Sequence, residues 1–260
     1  MTMTRVLAIE TSTELLGVAV VDQGGVVSEF SVKKARIHSK MLLPLCISAV
    51  ETAGLDLESF DCIAVSAGPG SFTGLRIGCA TAQGLALAFG KAVAMIPTFE
   101  IYLRQCSVYP SVAIVQGKAK SQTVCAFYQR PSAGKPSGAG EGEDGFHRLY
   151  GFQEIEPIGA KSYDEFFEVL DKAKISVWVT GDAAKEFTRV AQEAGRSDVK
   201  AVDEILMLPR PAVAGLIGLQ MFEKGQVVEP SSAVPKYYRR SQAEVVFAKG
   251  KARVAHEEFS

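Results

Sequence analysis

The chain is poor in histidine, in net charge and in long apolar runs, and each shortage removes a class of function. Three histidines stand in 260 residues: His38, His147 and His256. They are scattered, with no carboxylates at ligand spacing around them, so they are not read as a metal centre. The formal net charge of −1 gives no global pull toward nucleic acid or anionic membrane, although a local basic patch stays open. No apolar run reaches the ~18 residues of a membrane span. The N-terminus enters a strand pattern at once, without the pattern of a secretory leader. Cysteine is odd in number and has no C-x-x-C pair: Cys46, Cys62, Cys79, Cys106 and Cys125. Most of them sit in apolar runs, which predicts reduced core residues of a cytoplasmic protein. With 47% hydrophobic and 22% charged residues, the chain has the balance of one large globular domain or two small ones.

What is present is concentrated between Asp61 and Gly90. A buried strand, Ile63-Ala64-Val65, breaks at Gly68-Pro69-Gly70, and a helix resumes near Ser71. A glycine turn between strand and helix is where α/β proteins often hold phosphate on free N–H groups. The helix carries two stripes of small residues four apart: Gly74, Gly78, Ala82 and Ala80, Gly84, Ala88. Each mid-helix glycine costs about 1 kcal/mol relative to alanine, a cost that close approach of another backbone offsets. The segment therefore reads either as a phosphate loop or as a close-packing face. Ser71 is not the centre of a G-x-S-x-G elbow, so it is read as a helix cap and not as a nucleophile.

Along the chain, strand signals at 5–8, 17–22 and 26–33 precede an amphipathic helix over 38–53, in which Met41, Leu42, Leu45 and Ala49 recur at helical spacing. The glycine-rich strand and helix follow, then a strand at 93–95 and a helix through Gln105. This β-β-β-α-β-α-β order is not that of a doubly wound sheet. A new sheet is expected from 111–115 and 122–129. A loop rich in Gly, Pro, Ser and acidic residues is expected over 131–147, and a strand over 148–155. The helix expected at 162–173 has Ser162 and Glu165 as a capping box. A strand at 175–179, a turn at Thr180-Gly181-Asp182 and helices over 183–194 and 210–224 complete the body, followed by a strand or extended arm over 234–240 and a polar tail. No internal sequence repeat is visible.

Three segments now carry a resemblance. They are Leu7 to Thr13 (LAIETST), His38 to Pro44 (HSKMLLP) and Ala64 to Gly78 (AVSAGPGSFTGLRIG), joined late in the chain by Val234 to Arg240 (VPKYYRR). Together they resemble the TsaB (YeaZ) proteins of bacterial tRNA threonylcarbamoyladenosine synthesis, strongly over 5–100, weakly through the middle and again from about Pro209. The resemblance implies an α/β, two-domain fold of the actin/Hsp70/sugar-kinase type (ASKHA), each domain a mixed β-sheet with flanking helices. The first domain would span 1–105, completed by the helix over 210–225, and the second 106–209, with 226–260 as arm and tail. It also implies a non-catalytic subunit that binds the catalytic TsaD subunit, with a TsaE ATPase joining them, a second copy of the chain as the occupant when TsaD is absent, and tRNA reached through the complex.

The residues bear on each implication. The catalytic relatives hold a metal with an HxxxH pair where this chain reads Ile96 to Tyr102 without histidine, so no metal is expected. Glu10, Thr11, Ser12 and Thr13 stand at the first nucleotide turn, or simply build a hairpin, and Gly181 and Asp182 resemble an adenosine-side turn. Residues 115–120 (VQGKAK) lack the carboxylate that would anchor Mg²⁺ in the second domain. No tightly bound cofactor is expected, and weak nucleotide binding stays open. The rival reading is a stand-alone actin-like ATPase or phosphotransferase. The partner face is assigned to the first two helices: His38, Met41, Leu42 and Leu45, with Phe72, Gly74, Leu75, Arg76, Gly78 and Ala82. Basic segments 33–36 and 236–240 read as solvated charge before RNA contacts.

Overall fold

Alternating apolar residues with β-branched enrichment build most of the strands, and in a computed structural model the ten strands among the described residues form two five-stranded sheets. The structure describes residues 3–34, 36–117, 122–131 and 150–238. In the first sheet, β1 (Arg5–Glu10), β2 (Leu15–Asp22) and β3 (Gly25–Lys33) form an antiparallel meander. Two further strands, β4 (Cys62–Gly68) and β5 (Ala92–Pro97), add to it in parallel. The order is β3-β2-β1-β4-β5. The two-residue period of these strands feeds two cores. Leu7, Ile9, Ile63 and Val65 face α1 (His38–Thr52) and α2 (Phe72–Phe89), whereas Val6, Ala8, Cys62 and Ala64 face the other way.

That second face is covered by α6 (Pro211–Glu223), which returns to the first sheet from far along the chain and packs Ala214, Ile217 and Met221 there. Arg210 holds its N-terminus by a bidentate pair with Glu29 of β3, at 3.1 and 2.6 Å. Between β5 and the second sheet lies α3 (Thr98–Gln105). Phe99, Tyr102 and Leu103 of α3 belong to the second core, so α3 joins the two halves.

The second sheet repeats the first. Strands β6 (Ser111–Gln116), β7 (Thr123–Gln129) and β8 (Gln153–Lys161) are the meander. Then β9 (Val177–Thr180) and β10 (Val199–Ala201) pair in parallel beside β6. Its order, β8-β7-β6-β9-β10, is that of the first sheet, strand for strand, although no sequence repeat marks it. Its core is built on Phe187 of α5 (Ala184–Glu193), which touches Tyr163, Phe166 and Phe167 of α4 (Tyr163–Ala173) at centroid distances of 4.9, 5.7 and 4.7 Å.

Two sequence expectations need correcting. The strand expected over 148–155 begins instead at Gln153 and runs to Lys161. Pro157 and Gly159 hide it, because both are poor strand residues that a sheet edge tolerates, and β8 is an edge strand with register shifts. The three-residue β10 was not anticipated, being too short to show a period. The loop expected over 131–147 lies, apart from Pro131, outside the described residues, as do His147, His256 and the polar tail.

Candidate functional site: two faces of helix α2

The turn between β4 and α2 is filled by the chain itself. Ser71 caps the helix by accepting from the Gly74 amide at 3.2 Å, and its own amide donates to the Ser12 carbonyl at 2.7 Å. A Cβ placed on Gly70 would stand 2.6 Å from the Ser12 carbonyl oxygen, and one on Gly74 2.1 Å from that of Thr11. On Gly78 it would meet the Thr11 hydroxyl oxygen at 2.2 Å. The inward stripe of α2 is therefore the bed on which the β1–β2 turn lies. The Ser12 and Thr11 carbonyl oxygens crowd this turn, and the Ser71 and Gly74 amides already donate within the chain. Of the two sequence readings, close packing is the one realised.

Glu10, Thr11, Ser12 and Thr13 build that turn. The Ser12 amide donates to Glu10 Oε1 at 2.6 Å, the Thr11 amide to Ser66 Oγ at 3.3 Å, and the Leu15 amide to Thr13 Oγ1 at 3.2 Å. All four residues are buried. Burial pushes the Glu10 carboxyl up to about 7, against the opposing hydrogen bonds from Ser12 and Ser66. Glu10 Oε2, Thr11 Oγ1 and Ser12 Oγ have no partner among the described residues.

The second half has the equivalent turn, and it too closes on its own backbone. The Gly117 amide donates to Asp182 Oδ1 at 2.7 Å. Gly181, at φ +110°, passes so close to β6 that a Cβ would stand 2.1 Å from the Val115 carbonyl oxygen. Residues 118–121 lie outside the described residues. The two turns are linked through Tyr102, which is wholly buried. Its phenol is pushed well above the ordinary range, first by burial and then by the nearby Asp182 and Glu10 carboxyls. The Tyr102 hydroxyl has no hydrogen-bond partner among the described residues. At 96–102 the buried side chains that carry a polar group are the Thr98 hydroxyl, the Glu100 carboxyl and the Tyr102 phenol, among the apolar Ile96, Phe99 and Ile101. Among the described residues no three His, Cys, Asp or Glu side chains converge. This donor set, without histidine, does not fit the HxxxH-held metal of the catalytic relatives.

The partner-face assignment is corrected by burial. Gly74, Leu75, Gly78 and Ala82 of α2, with Leu42 and Leu45 of α1, are buried in the first half's own packing. A groove at Gly74 and Gly78 is not open to another chain. What α2 turns outward is the other ridge: Phe72, Arg76, Ala80, Gly84 and Ala88, one turn apart. Nothing lies within 4 Å of a Cβ on Gly84. Beside this ridge Leu87 is 66% exposed, and on neighbouring α1 Met41, Leu43 and Ile47 are exposed. His38 is half-buried at the start of α1. Ala80, Gly84 and Ala88 were visible as a stripe in the sequence, but Leu43, Ile47 and Leu87 carried no distinguishing signal.

The C-terminal arm closes one end of the ridge. Val228 pairs with Val93, and the Gln83 amide donates to the Ala233 carbonyl at 3.2 Å. The Lys236 amide donates to the Ala67 carbonyl at 2.8 Å. Tyr237 then stacks on Phe72 at 4.7 Å between centroids. Over 234–238 the arm is extended and pairs with no sheet; residues 239–240 lie outside the described residues.

Two sheets of identical mixed order, joined face to turn, define the two-domain ASKHA fold of actin-like proteins. A family model described as TsaD, tRNA N6-adenosine threonylcarbamoyltransferase, matches residues 12–247. The chain belongs to this family, and within it is similar to proteins of the TsaB (YeaZ) type. It is 28% identical to the tRNA threonylcarbamoyladenosine biosynthesis protein TsaB of Escherichia coli, over 92% of this chain and 96% of that one. Two solved structures share the fold. YeaZ from Pseudomonas aeruginosa superposes with a TM-score of 0.65 at 21% identity, covering 90% of this chain and all of that one. An uncharacterized P. aeruginosa protein described as similar to peptidase YEAZ gives 0.69 at 22%, covering 91% and 100%.

Proposed function

We propose that this chain serves tRNA threonylcarbamoyladenosine synthesis as a non-catalytic scaffold and activator that binds the TsaD-type catalytic subunit. The modification is the one made at the adenosine next to the anticodon. The role in that synthesis is supported by the family and by the name of its E. coli relative. The observation that carries the scaffold reading is the outward ridge of α2: small residues at helical spacing, open to solvent and flanked by exposed apolar side chains of α1 and α2. Small residues let a partner helix approach closely, and the flanking leucines and methionine supply the area to bury. In this reading a second copy of the chain takes the same face when the catalytic subunit is absent. A TsaE-type ATPase joins the assembled pair, and tRNA is met through the complex. No tightly bound cofactor is assigned to the chain and weak nucleotide binding stays open: the Ser71, Gly74 and Gly117 amides donate to the chain's own oxygens.

The test is to replace Gly84 with Arg and measure association with the TsaD-type subunit by light scattering and calorimetry. Gly84→Arg should not lower the melting temperature of the monomer and should weaken association at least 100-fold. Reconstituted tRNA modification should fall with it. Association that survives Gly84→Arg, or modification by the catalytic subunit without this chain, overturns the reading.

A further inference from the structure

The arm and the outward ridge meet at Arg76. Its guanidinium lies 3.9 Å from the centroid of Phe72, and its Nε donates to the Tyr237 hydroxyl at 3.0 Å. The Tyr237 ring, stacked beside Phe72 at 4.7 Å between centroids, stands 5.8 Å from the same guanidinium. Tyr237 is itself fixed, because the preceding Lys236 is tied to Ala67. Gly68 leaves room for the Lys236 carbonyl, which would stand 2.5 Å from a Cβ there.

So Arg76 is exposed yet oriented, and no acid among the described residues pairs with it. Arg189, Arg196 and Arg210 each meet a carboxylate of their own chain. At Arg76 only Nε is engaged, by the Tyr237 hydroxyl, and the residue is exposed. The two terminal nitrogens of a guanidinium match a carboxylate with two parallel hydrogen bonds, and holding the group on the Phe72 ring and the Tyr237 hydroxyl removes much of the ordering cost of binding.

We propose that Arg76 is the carboxylate receptor of the partner face: it takes an Asp or Glu side chain of the TsaD-type subunit, and Tyr237 of the C-terminal arm is its positioning residue. This rests on the reading of the α2 ridge as the partner face. A bidentate charged contact at one end of an apolar ridge fixes the register of the docked helix, which small residues alone do not.

The experiment measures affinity of the full chain for its TsaD-type subunit across a salt series. The parent should weaken with salt. Arg76→Gln should weaken low-salt affinity about tenfold or more and flatten the salt dependence, and Arg76→Lys should recover only part of the loss. Tyr237→Phe keeps the ring and the charge but removes the hydroxyl that holds Nε. It should weaken affinity a few-fold with the parent's salt dependence intact. Melting temperature and protease protection of the arm serve as controls for folding. Parent-like affinity in Arg76→Gln overturns the inference, as does a loss that tracks release of the arm with unchanged salt dependence. Loss of binding in Gly84→Arg but not in Arg76→Gln overturns this inference alone. No binding by the parent overturns the partner reading and this one with it.

Discussion

Helix α2 carries two ridges of small residues with opposite fates. Gly74 and Gly78 lie against the oxygens of Thr11, closer than any side chain permits, while Gly84 has nothing within 4 Å. Spacing and residue type are the same on both ridges, so neither separates internal packing from an open face. The difference comes from the β1–β2 turn, which reaches one side of the helix only. A stripe of small residues therefore records that something approaches closely, and its partner has to be found in three dimensions.

The comparison can be broken most sharply by adding one methyl group to each ridge. Gly74→Ala should destabilise the chain by about 3 kcal/mol or more, since the contact it makes is with backbone and cannot swing aside. Urea denaturation showing a parent-like midpoint would mean the turn does not lie on this ridge. Gly78→Leu, placed on the same ridge, should likewise lower the monomer's melting temperature at every dilution.

The turn that the inward ridge receives should also be pH-sensitive. Glu10 rises from 4.5 to about 7 on folding. Between those values the folded chain holds a proton that the unfolded chain has released. Stability then falls as pH rises through this window, by about 1.4 kcal/mol per pH unit, and levels off above it. Glu10→Gln keeps an acceptor for the Ser12 amide and removes the charge. It should stabilise the protein by about 3 kcal/mol at pH 8 and have little effect at pH 4, as denaturant midpoints at the two pH values will show. A pH-independent effect would place the carboxyl in water.

The smallest effect is opposite in sign to that of Gly74→Ala. Gly84→Ala should stabilise the helix by about 1 kcal/mol, the ordinary propensity difference, because the added methyl group meets nothing. A loss of stability there would show that the outer ridge is not free in the monomer.

The two halves make a parallel comparison. In the first, β4-turn-α2 was legible because GPGS combines strand, turn and cap signals in consecutive residues. The capping box of Ser162 and Glu165 was legible in the second half for the same reason, and both of its hydrogen bonds are present. The shared sheet order of the halves was not legible, since strand pairing depends on which segments meet and not on what each one contains. Glu10 and Asp182 stood out separately as turn residues. That they share Tyr102 depends on α3 passing between the sheets.

What the sequence determined by itself is local: alternation set the strands, 3.6-residue spacing set the helices, and Gly, Pro and Ser set the turns and caps. These follow from the dihedral preferences and hydrogen-bonding needs of neighbouring residues. Only the tertiary structure decided which ridge of α2 faces inward, that α6 closes the first sheet, and that the arm sets Arg76. Those outcomes depend on contacts between residues far apart in the chain, where burial and exclusion of volume, and not local preference, select the partner.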